Sequence, residues 1–165
     1  MPAPTAPRTA SKQPCPGRLR SALVRPPGAF LGLGAVLTAA GCARAWTREV
    51  LWERGVADLA DTADIVVSEL ATNALRASRR EGAAFFTLVL TRDRGELTIL
   101  VRDFCPGVPQ AGDAGEEDEN GRGLLLVQEL SARSGWYPAG DGSPGKTVWA
   151  VLEAPPAASG DPAAP

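Results

Sequence analysis

A carboxylate and an amide lie four residues apart in the sequence, at Glu69 and Asn73. In a helix this spacing puts both side chains on one face, at the edge of the apolar stripe that contains Val66, Val67 and Leu70. The amide oxygen of Asn73 is a hard ligand suited to Mg²⁺, and the carboxylate of Glu69 could accept a proton or orient a water. A solvated helix face could carry the same two residue types, so the pair alone leaves both interpretations open.

Asp103 follows the core-facing row of a predicted strand at Glu96–Asp103. A carboxylate in that row costs free energy unless a donor meets it. Two interpretations stay open: Asp103 caps the turn at Phe104–Gly107 as an Asx residue, or it binds a ligand N–H in a pocket between helix and sheet. In the second interpretation, the missing side chain of Gly107 would let a flat ring approach the backbone.

The run Gly121-Arg122-Gly123 opens a predicted helix directly after a polar loop. Backbone N–H groups and the helix dipole favour phosphate at such a position, and an arginine adds a bidentate donor. An ordinary loop-to-helix turn is the alternative, and neither a Walker loop nor a dinucleotide fingerprint is present. Gly145-Lys146-Thr147, before the last predicted strand, is a weaker signal, because a turn followed by a β-favouring threonine explains it.

The amino-acid composition of the chain excludes several kinds of catalysis and metal binding. The 165 residues include 17 Lys or Arg, 19 Asp or Glu and no His. Catalysis by histidine, His-ligated metals and phosphohistidine are therefore excluded, and any general base must be a carboxylate, a lysine or a tyrosine. Three cysteines without metal-like spacing indicate a reducing cytoplasm and no disulfide framework.

The ends of the chain differ from its middle. Residues 1–28 and 154–165 are rich in Pro and Ala, and they are predicted to be disordered tails, the first of them basic. The candidate domain spans residues 29–153. Its first apolar run, residues 29–40, precedes Cys42 in a layout that resembles a secretory or lipoprotein signal; the alternative is an edge strand that leads into a helix.

Periodicity and turn signals predict the elements in the order strand, two helices, hairpin, helix, hairpin. The predicted bounds after the first strand are helices from about Ala39 to Leu51, Asp61 (as N-cap) to Ser78 and Arg122 to Ser134, and strands at Ala84–Thr91, Glu96–Asp103, Trp136–Tyr137 and Lys146–Glu153. Adjacent hairpins favour an α+β two-layer sandwich, with a mixed, mostly antiparallel sheet and about three helices on one face.

Taken together, four segments resemble the histidine-kinase-like ATPase (Bergerat) fold shared with gyrase, mismatch-repair and heat-shock-chaperone ATPases. More closely, the chain is similar to the small bacterial anti-sigma-factor serine/threonine kinases. The resemblance covers about residues 40–152. The segments that carry it are Val67-Ser-Glu-Leu-Ala-Thr-Asn-Ala74, Val101-Arg-Asp-Phe-Cys-Pro-Gly107, Asn120-Gly-Arg-Gly-Leu-Leu-Leu-Val127 and Gly145-Lys-Thr-Val-Trp149.

The resemblance implies ATP and Mg²⁺ as ligands, with Glu69 as general base and Asn73 as the Mg²⁺ ligand. It implies further nucleotide contacts at Asp103 (adenine amino group), Gly107 (beside the ring), Gly121 and Gly123 (phosphates), Arg122 and Leu124 (lining that turn) and Thr147 (support of adenine). Asp-Phe-Cys-Pro-Gly departs from the Asp-x-Gly-x-Gly of the larger families. The loop from Gly107 to Asn120 is short and acidic, so we expect it to point away from triphosphate or to contact a partner.

The function expected from this resemblance is a cytoplasmic serine/threonine protein kinase that phosphorylates an anti-sigma-factor antagonist. A sigma factor is a further expected partner, and homodimers occur among related kinases; direct nucleic-acid or membrane binding is not expected. Without histidine the chain cannot store phosphate on one, so a hydroxyl of a partner is the expected acceptor. The alternatives are an ATP-binding interaction module without phosphoryl transfer and, from the run before Cys42, a secreted lipoprotein.

Overall fold

The computed structural model describes residues 28–93, 95–109, 123–140 and 142–153. Over these ranges the chain forms five strands and three α-helices, and a 3₁₀ turn at Ala57–Leu59 joins the first two helices. The elements in chain order are β1 (Ala29–Gly34), α1 (Ala39–Glu53), α2 (Ala60–Glu81), β2 (Phe85–Asp93), β3 (Glu96–Asp103), α3 (Gly123–Leu130), β4 (Arg133–Pro138) and β5 (Lys146–Glu153).

The strands form one sheet in the order β1-β2-β3-β5-β4. All four pairings between the described strands are antiparallel, so the parallel pairing that a mixed sheet would contain does not occur among them. Side chains from all three helices join one face of the sheet in a single apolar core. The predicted α+β two-layer sandwich is therefore confirmed.

The two faces of the sheet carry different clusters. In β5, Val148, Ala150 and Leu152 belong to the core shared with the helices, whereas Trp149 and Val151 belong to a separate cluster. Alternating side chains along a strand point to opposite faces, which explains the division. We call the side of Val148 and Ala150 the helix face, and the side of Trp149 and Val151 the second face.

The longest helix, α2, buries the apolar stripe that its sequence predicts and ends at Gly82, whose φ of 72° closes the helix in the left-handed region. Its start differs from the prediction. The helix begins at Ala60 without a side-chain cap, so Asp61 is not the N-cap. Asp64 accepts a hydrogen bond of 2.7 Å from Arg48 instead, and this contact ties α1 to α2.

The third helix is shorter than predicted. It ends at Leu130, and the predicted extension to Ser134 is wrong because the chain has already entered β4 at Arg133. Arg133 and Ser134 pair with Val151 and Ala150 of β5. Ladder hydrogen bonds, together with an Arg133–Glu96 ion pair of 2.6 Å, stabilise this arrangement. Tertiary pairing overrides the helical pattern here.

The apolar run at residues 29–40 forms the edge strand β1 and the start of α1, as in the second interpretation of that run. No helix within the described ranges has both the length and the apolar character needed to cross a bilayer. Most of the predicted tails, residues 1–27 and 154–165, and most of the acidic loop lie outside the described residues.

Candidate functional site

A cavity of about 160 Å³ lies between α2, the ends of β3 and β5, and the segment that follows β3. Leu70, Val101 and Val148 give it apolar walls. Its polar and charged lining comes from Asn73, Arg76, Arg80, Asp103 and Lys146. An apolar cleft with a few converging polar groups is the usual form of a small-molecule site.

Asp103 lines the cavity and is only 2% exposed. One carboxylate oxygen, Oδ1, accepts a hydrogen bond of 3.0 Å from the backbone N–H of Cys105. A bond to the N–H two residues on is the Asx turn that the first interpretation of Asp103 requires. Because the same residue also lines the cavity, the ligand-binding interpretation stays compatible with its position.

Lys146 meets the same oxygen of Asp103 with its ammonium group, at 3.0 Å, and both side chains are buried. The two residues are register partners on β3 and β5. Sequence reasoning overlooked Lys146. The signal was available, because Lys146 shares the alternation of Val148 and Ala150, which face the helices.

Thr147 lies one position further along β5 and therefore belongs to the second face, opposite Arg102 in the register. It does not line the cavity. The structure thus separates Thr147 from Asp103 and Asn73 by the thickness of the sheet. Among these two neighbours it is Lys146, and not Thr147, that lines the cavity.

Asn73 lines the cavity from α2. Its amide nitrogen Nδ2 is buried and has no hydrogen-bond partner within the described residues. A buried unpaired amide is costly, so this group is suited to a bound ligand or metal-bound water. A half-turn of the amide exchanges nitrogen and oxygen, so the same position can present the oxygen that Mg²⁺ prefers.

Glu69 lies one helical turn before Asn73, is partly buried, and does not line the cavity itself. Its carboxylate lies against Gly123, the first residue of α3, so closely that a Cβ at Gly123 would overlap Oε2. The absence of a side chain at Gly123 is therefore what lets the start of α3 rest on Glu69. A carboxylate near a helix N-terminus is also favourably placed in the helix dipole.

The remaining predicted contacts divide into three groups. Gly107 has a φ of 95° and turns the chain so that the next two residues, Val108 and Pro109, line the cavity. Leu124 is buried in the apolar core and does not line the cavity. Gly121 and Arg122 lie outside the described residues.

Two arginines on α2, which the sequence interpretation did not use, add positive charge to the cavity. Arg76 and Arg80 both line it, three and seven residues after Asn73. These intervals keep all three side chains on one face of a helix. Arginine donors suit phosphate or carboxylate groups, so this flank of the cavity is suited to an anionic ligand group, although Arg80 also meets Glu81 at 3.3 Å.

Behind Asp103, Cys105 is fully buried. Burial raises the pKa of the Cys105 thiol above its ordinary value, and the neighbouring Asp103 carboxylate raises that pKa further. The thiol therefore stays protonated and unreactive at neutral pH, and it serves as a packing group.

The cavity residues fit a Mg²⁺–nucleotide ligand: Asn73 offers an unsatisfied amide, Asp103 a buried acceptor and the two arginines positive charge. None of the curated proteins compared with the chain matches it significantly. The family model described as histidine kinase-like ATPase domain matches residues 33–152, which include every strand and helix except the first residues of β1 and the last residue of β5. The chain belongs to the histidine kinase-like ATPase domain family, whose domains bind ATP.

Proposed function

We propose that this chain is a regulatory protein kinase that binds ATP with Mg²⁺ in the cavity between α2 and the sheet and transfers the γ-phosphoryl group to a serine or threonine of a partner protein. The observation that carries the proposal is the shared face of α2. Glu69 and Asn73 lie one turn apart on that helix, and Asn73 presents a buried, unpaired amide to the cavity that Asp103 closes on the other side.

In the proposed reaction, a hydroxyl oxygen of the partner attacks the γ-phosphorus. A new oxygen–phosphorus bond forms while the bond to the β–γ bridging oxygen breaks, and ADP leaves. The carboxylate of Glu69 takes the hydroxyl proton. Gly123 lies directly against that carboxylate, so the start of α3 fixes where the base sits.

Asn73 would hold Mg²⁺, which when bound neutralises charge on the phosphate oxygens. Arg76 and Arg80 would add positive charge on the same flank of the cavity. At the end of β3, Asp103 would accept the amino N–H of adenine while the apolar walls hold the ring. Gly107 supports the turn that brings this wall into place.

We further propose an anti-sigma-factor antagonist as the phosphorylated partner, a sigma factor as a second partner, and the cytoplasm as the place of action. These proposals rest on the resemblance of the four sequence segments to the small anti-sigma-factor kinases. The absence of histidine supports a hydroxyl acceptor, because the chain itself offers no imidazole for phosphate.

An ATP-binding interaction module without phosphoryl transfer is the second candidate, and one observation favours it. Glu69 does not line the cavity and is partly covered by the start of α3. If the carboxylate stays there when nucleotide is bound, it cannot reach a partner hydroxyl. The cavity would then bind ATP only to change the protein's contacts.

The experiment that tests both candidates has two stages. Binding of ATP to the full chain is measured first by calorimetry, with and without Mg²⁺. Transfer is then followed with γ-labelled ATP and a candidate antagonist, for the native chain, Glu69→Gln and the control Glu49→Gln, which alters an exposed carboxylate of α1.

Kinase function predicts label on the partner with the native chain and Glu49→Gln, and its loss with Glu69→Gln while ATP binding persists. Binding without transfer to any antagonist would favour the interaction module. Absence of ATP binding would contradict both candidates.

A further inference from the structure

Asp103 and Lys146 are the buried charged residues in the wall of the cavity. Their side chains are 3% and 5% exposed, whereas Arg76 and Arg80, which line the same cavity, are exposed to solvent. A triphosphate would keep its charge toward this exposed side, because burying an unpaired charge is costly. The base of a bound nucleotide would therefore enter first, with the edge farthest from its ribose against Asp103 and Lys146.

The hydrogen-bonding capacity of this pair is only partly used. Both hydrogen bonds that described residues donate to the Asp103 carboxylate go to Oδ1, from the backbone N–H of Cys105 and from the ammonium of Lys146. The other carboxylate oxygen, Oδ2, can accept an N–H from a ligand. An ammonium has three donors, and Asp103 is the one hydrogen-bonded partner of the Lys146 ammonium among the described residues, so donors remain for a ligand as well.

The stability of the fold does not by itself account for two charges at this position. A buried ion pair costs the desolvation of both ions, and apolar residues of similar size are often at least as stabilising. The neighbouring wall is apolar, with Leu70, Val101 and Val148. The charged pair is therefore the feature of this wall that can read the pattern of donors and acceptors on a ligand.

Adenine carries the pattern that complements this pair. Its amino group is a donor, and the ring nitrogen beside it, N1, is an acceptor on the same Watson–Crick edge. That edge lies opposite N9, the atom that bears the ribose. If the amino group donates to Oδ2 of Asp103, N1 comes within reach of the Lys146 ammonium, which lies 3.0 Å from the neighbouring oxygen Oδ1. The ring nitrogen N7 belongs to the ring that carries the ribose, so it lies nearer the open side.

We propose that Lys146 is a specificity-determining residue for the nucleotide, and that its ammonium donates a hydrogen bond to N1 of adenine while Asp103 accepts one from the amino group. This inference rests on the proposed binding of ATP in the cavity. Inosine and guanine nucleotides would reverse both contacts, because they turn a carbonyl oxygen toward Asp103 and an N–H toward Lys146. The pair would thus select adenine by attraction and reject these bases by repulsion.

The first test keeps the native chain and changes the ligand. Calorimetry in the presence of Mg²⁺ compares ATP with 1-deaza-ATP, in which C–H replaces N1, and with 7-deaza-ATP, in which C–H replaces N7. Loss of a hydrogen bond to a charged donor should weaken the binding of 1-deaza-ATP by about tenfold to hundredfold, whereas 7-deaza-ATP should bind as ATP does. Inosine triphosphate, which reverses both contacts, should bind more weakly than 1-deaza-ATP.

The second test removes the lysine. Lys146→Met should lose the preference for ATP over 1-deaza-ATP, because neither ligand then meets a donor at that position. Arg133→Gln, which alters a partly exposed arginine outside the cavity, is the matched control and should keep the native preference. Far-UV circular dichroism checks that each variant is folded. If Lys146→Met does not fold, the comparison of ligands on the native chain still decides.

The outcomes separate this inference from the proposed function. If ATP binds but 1-deaza-ATP binds equally well, or if only 7-deaza-ATP is weakened, Lys146 does not read N1 and the proposed function stands without it. Tight binding of inosine triphosphate, or a folded Lys146→Met protein that still prefers ATP over 1-deaza-ATP, would also overturn the inference. If none of the nucleotides binds, the proposed function fails and the inference fails with it.

Discussion

The ammonium nitrogen of Lys146 lies 3.0 Å from Oδ1 of Asp103, and the two side chains are 5% and 3% exposed. Gly145 makes this contact possible. A Cβ there would lie 2.5 Å from the carbonyl oxygen of Asp103, so only glycine lets β5 begin this close to the end of β3. The ion pair thus joins two strands in the wall of the cavity and fixes the carboxylate that a ligand would meet.

Removing the lysine alone should therefore be costly. In Lys146→Met the Asp103 carboxylate keeps its backbone donor but stays buried without its counter-charge. We expect the free energy of unfolding to fall by about 3–5 kcal/mol, the range found when one partner of a buried ion pair is removed. Urea denaturation of the variant and the native chain measures this difference.

The double variant Asp103→Leu/Lys146→Met should recover most of that loss, because no buried charge remains. Arg133→Gln is the matched control. It removes an ion pair with Glu96 whose side chains are 49% and 37% exposed, and we expect a change of less than about 1 kcal/mol. Equal losses for Lys146→Met and Arg133→Gln would show that the buried pair contributes no more than a surface contact.

The contact between Gly123 and Glu69 leads to a second prediction. In Gly123→Ala the new methyl group overlaps Oε2 of Glu69, and the flexible carboxylate must move away. If Glu69 is the base, phosphoryl transfer should slow toward the roughly 10²-fold loss typical of a displaced acid–base group, while ATP affinity changes little. Single-turnover transfer and calorimetry separate the two quantities.

Gly41→Ala is the control for this substitution. Gly41 lies in α1, and a Cβ there meets no atom within 4 Å. We expect this change to raise the free energy of unfolding by about 0.5–1 kcal/mol through helix propensity and to leave transfer unaltered. If Gly123→Ala transferred phosphate at the native rate, the position of Glu69 beside α3 would not matter for catalysis.

The sequence was sufficient to predict the fold because local and tertiary preferences agree over most of it. The apolar stripe of α2, the alternation of β3 and the glycine stop at Gly82 each predict the element that forms. The local pattern gave the wrong element where strand pairing determines the secondary structure. Arg133 and Ser134 fit a helical pattern locally, but β5 offers them a strand partner that no local signal reveals.

The site was predictable only in part, for a related reason. Asn73, which the sequence places at the edge of an apolar stripe, and Asp103, which ends a core-facing row, both line the cavity. Lys146 was overlooked because the preferred motif residue was its neighbour Thr147, although strand alternation puts only Lys146 on the face of Asp103. Arg76 was overlooked because its relation to the cavity depends on how α2 packs against β3.

These placements give a third prediction, which separates Asn73 from Thr147. Asn73→Ala removes the amide that lines the cavity, and we expect Mg²⁺-dependent ATP affinity to fall at least about tenfold, as when metal sites lose a supporting group. Thr147→Val alters only the second face, so ATP affinity should stay at the native value in any variant that is folded by circular dichroism. If calorimetry showed that Thr147→Val lowers ATP affinity and Asn73→Ala does not, nucleotide would bind outside the cavity.

The last prediction concerns pH and follows from Cys105. Because burial raises the pKa of its thiol in the folded chain, the unfolded chain loses the proton first as pH rises. The thiol's contribution to stability is thus fully present below the unfolded pKa of about 8.5 and is lost as pH rises through the folded pKa, by at most about 1.4 kcal/mol per pH unit. Urea denaturation at a series of pH values from neutral to alkaline measures this slope.

Cys105→Ala should have a lower free energy of unfolding at neutral pH, since it leaves a small cavity, but a flatter dependence on pH above that point. Cys42→Ala, which changes an exposed cysteine, should keep the native slope. If the free energy of unfolding of Cys105→Ala depended on pH as in the native chain, groups other than Cys105 would cause the loss of stability at alkaline pH. A flattened slope in Cys105→Ala alone would show that ionisation of the Cys105 thiol causes the alkaline loss of stability.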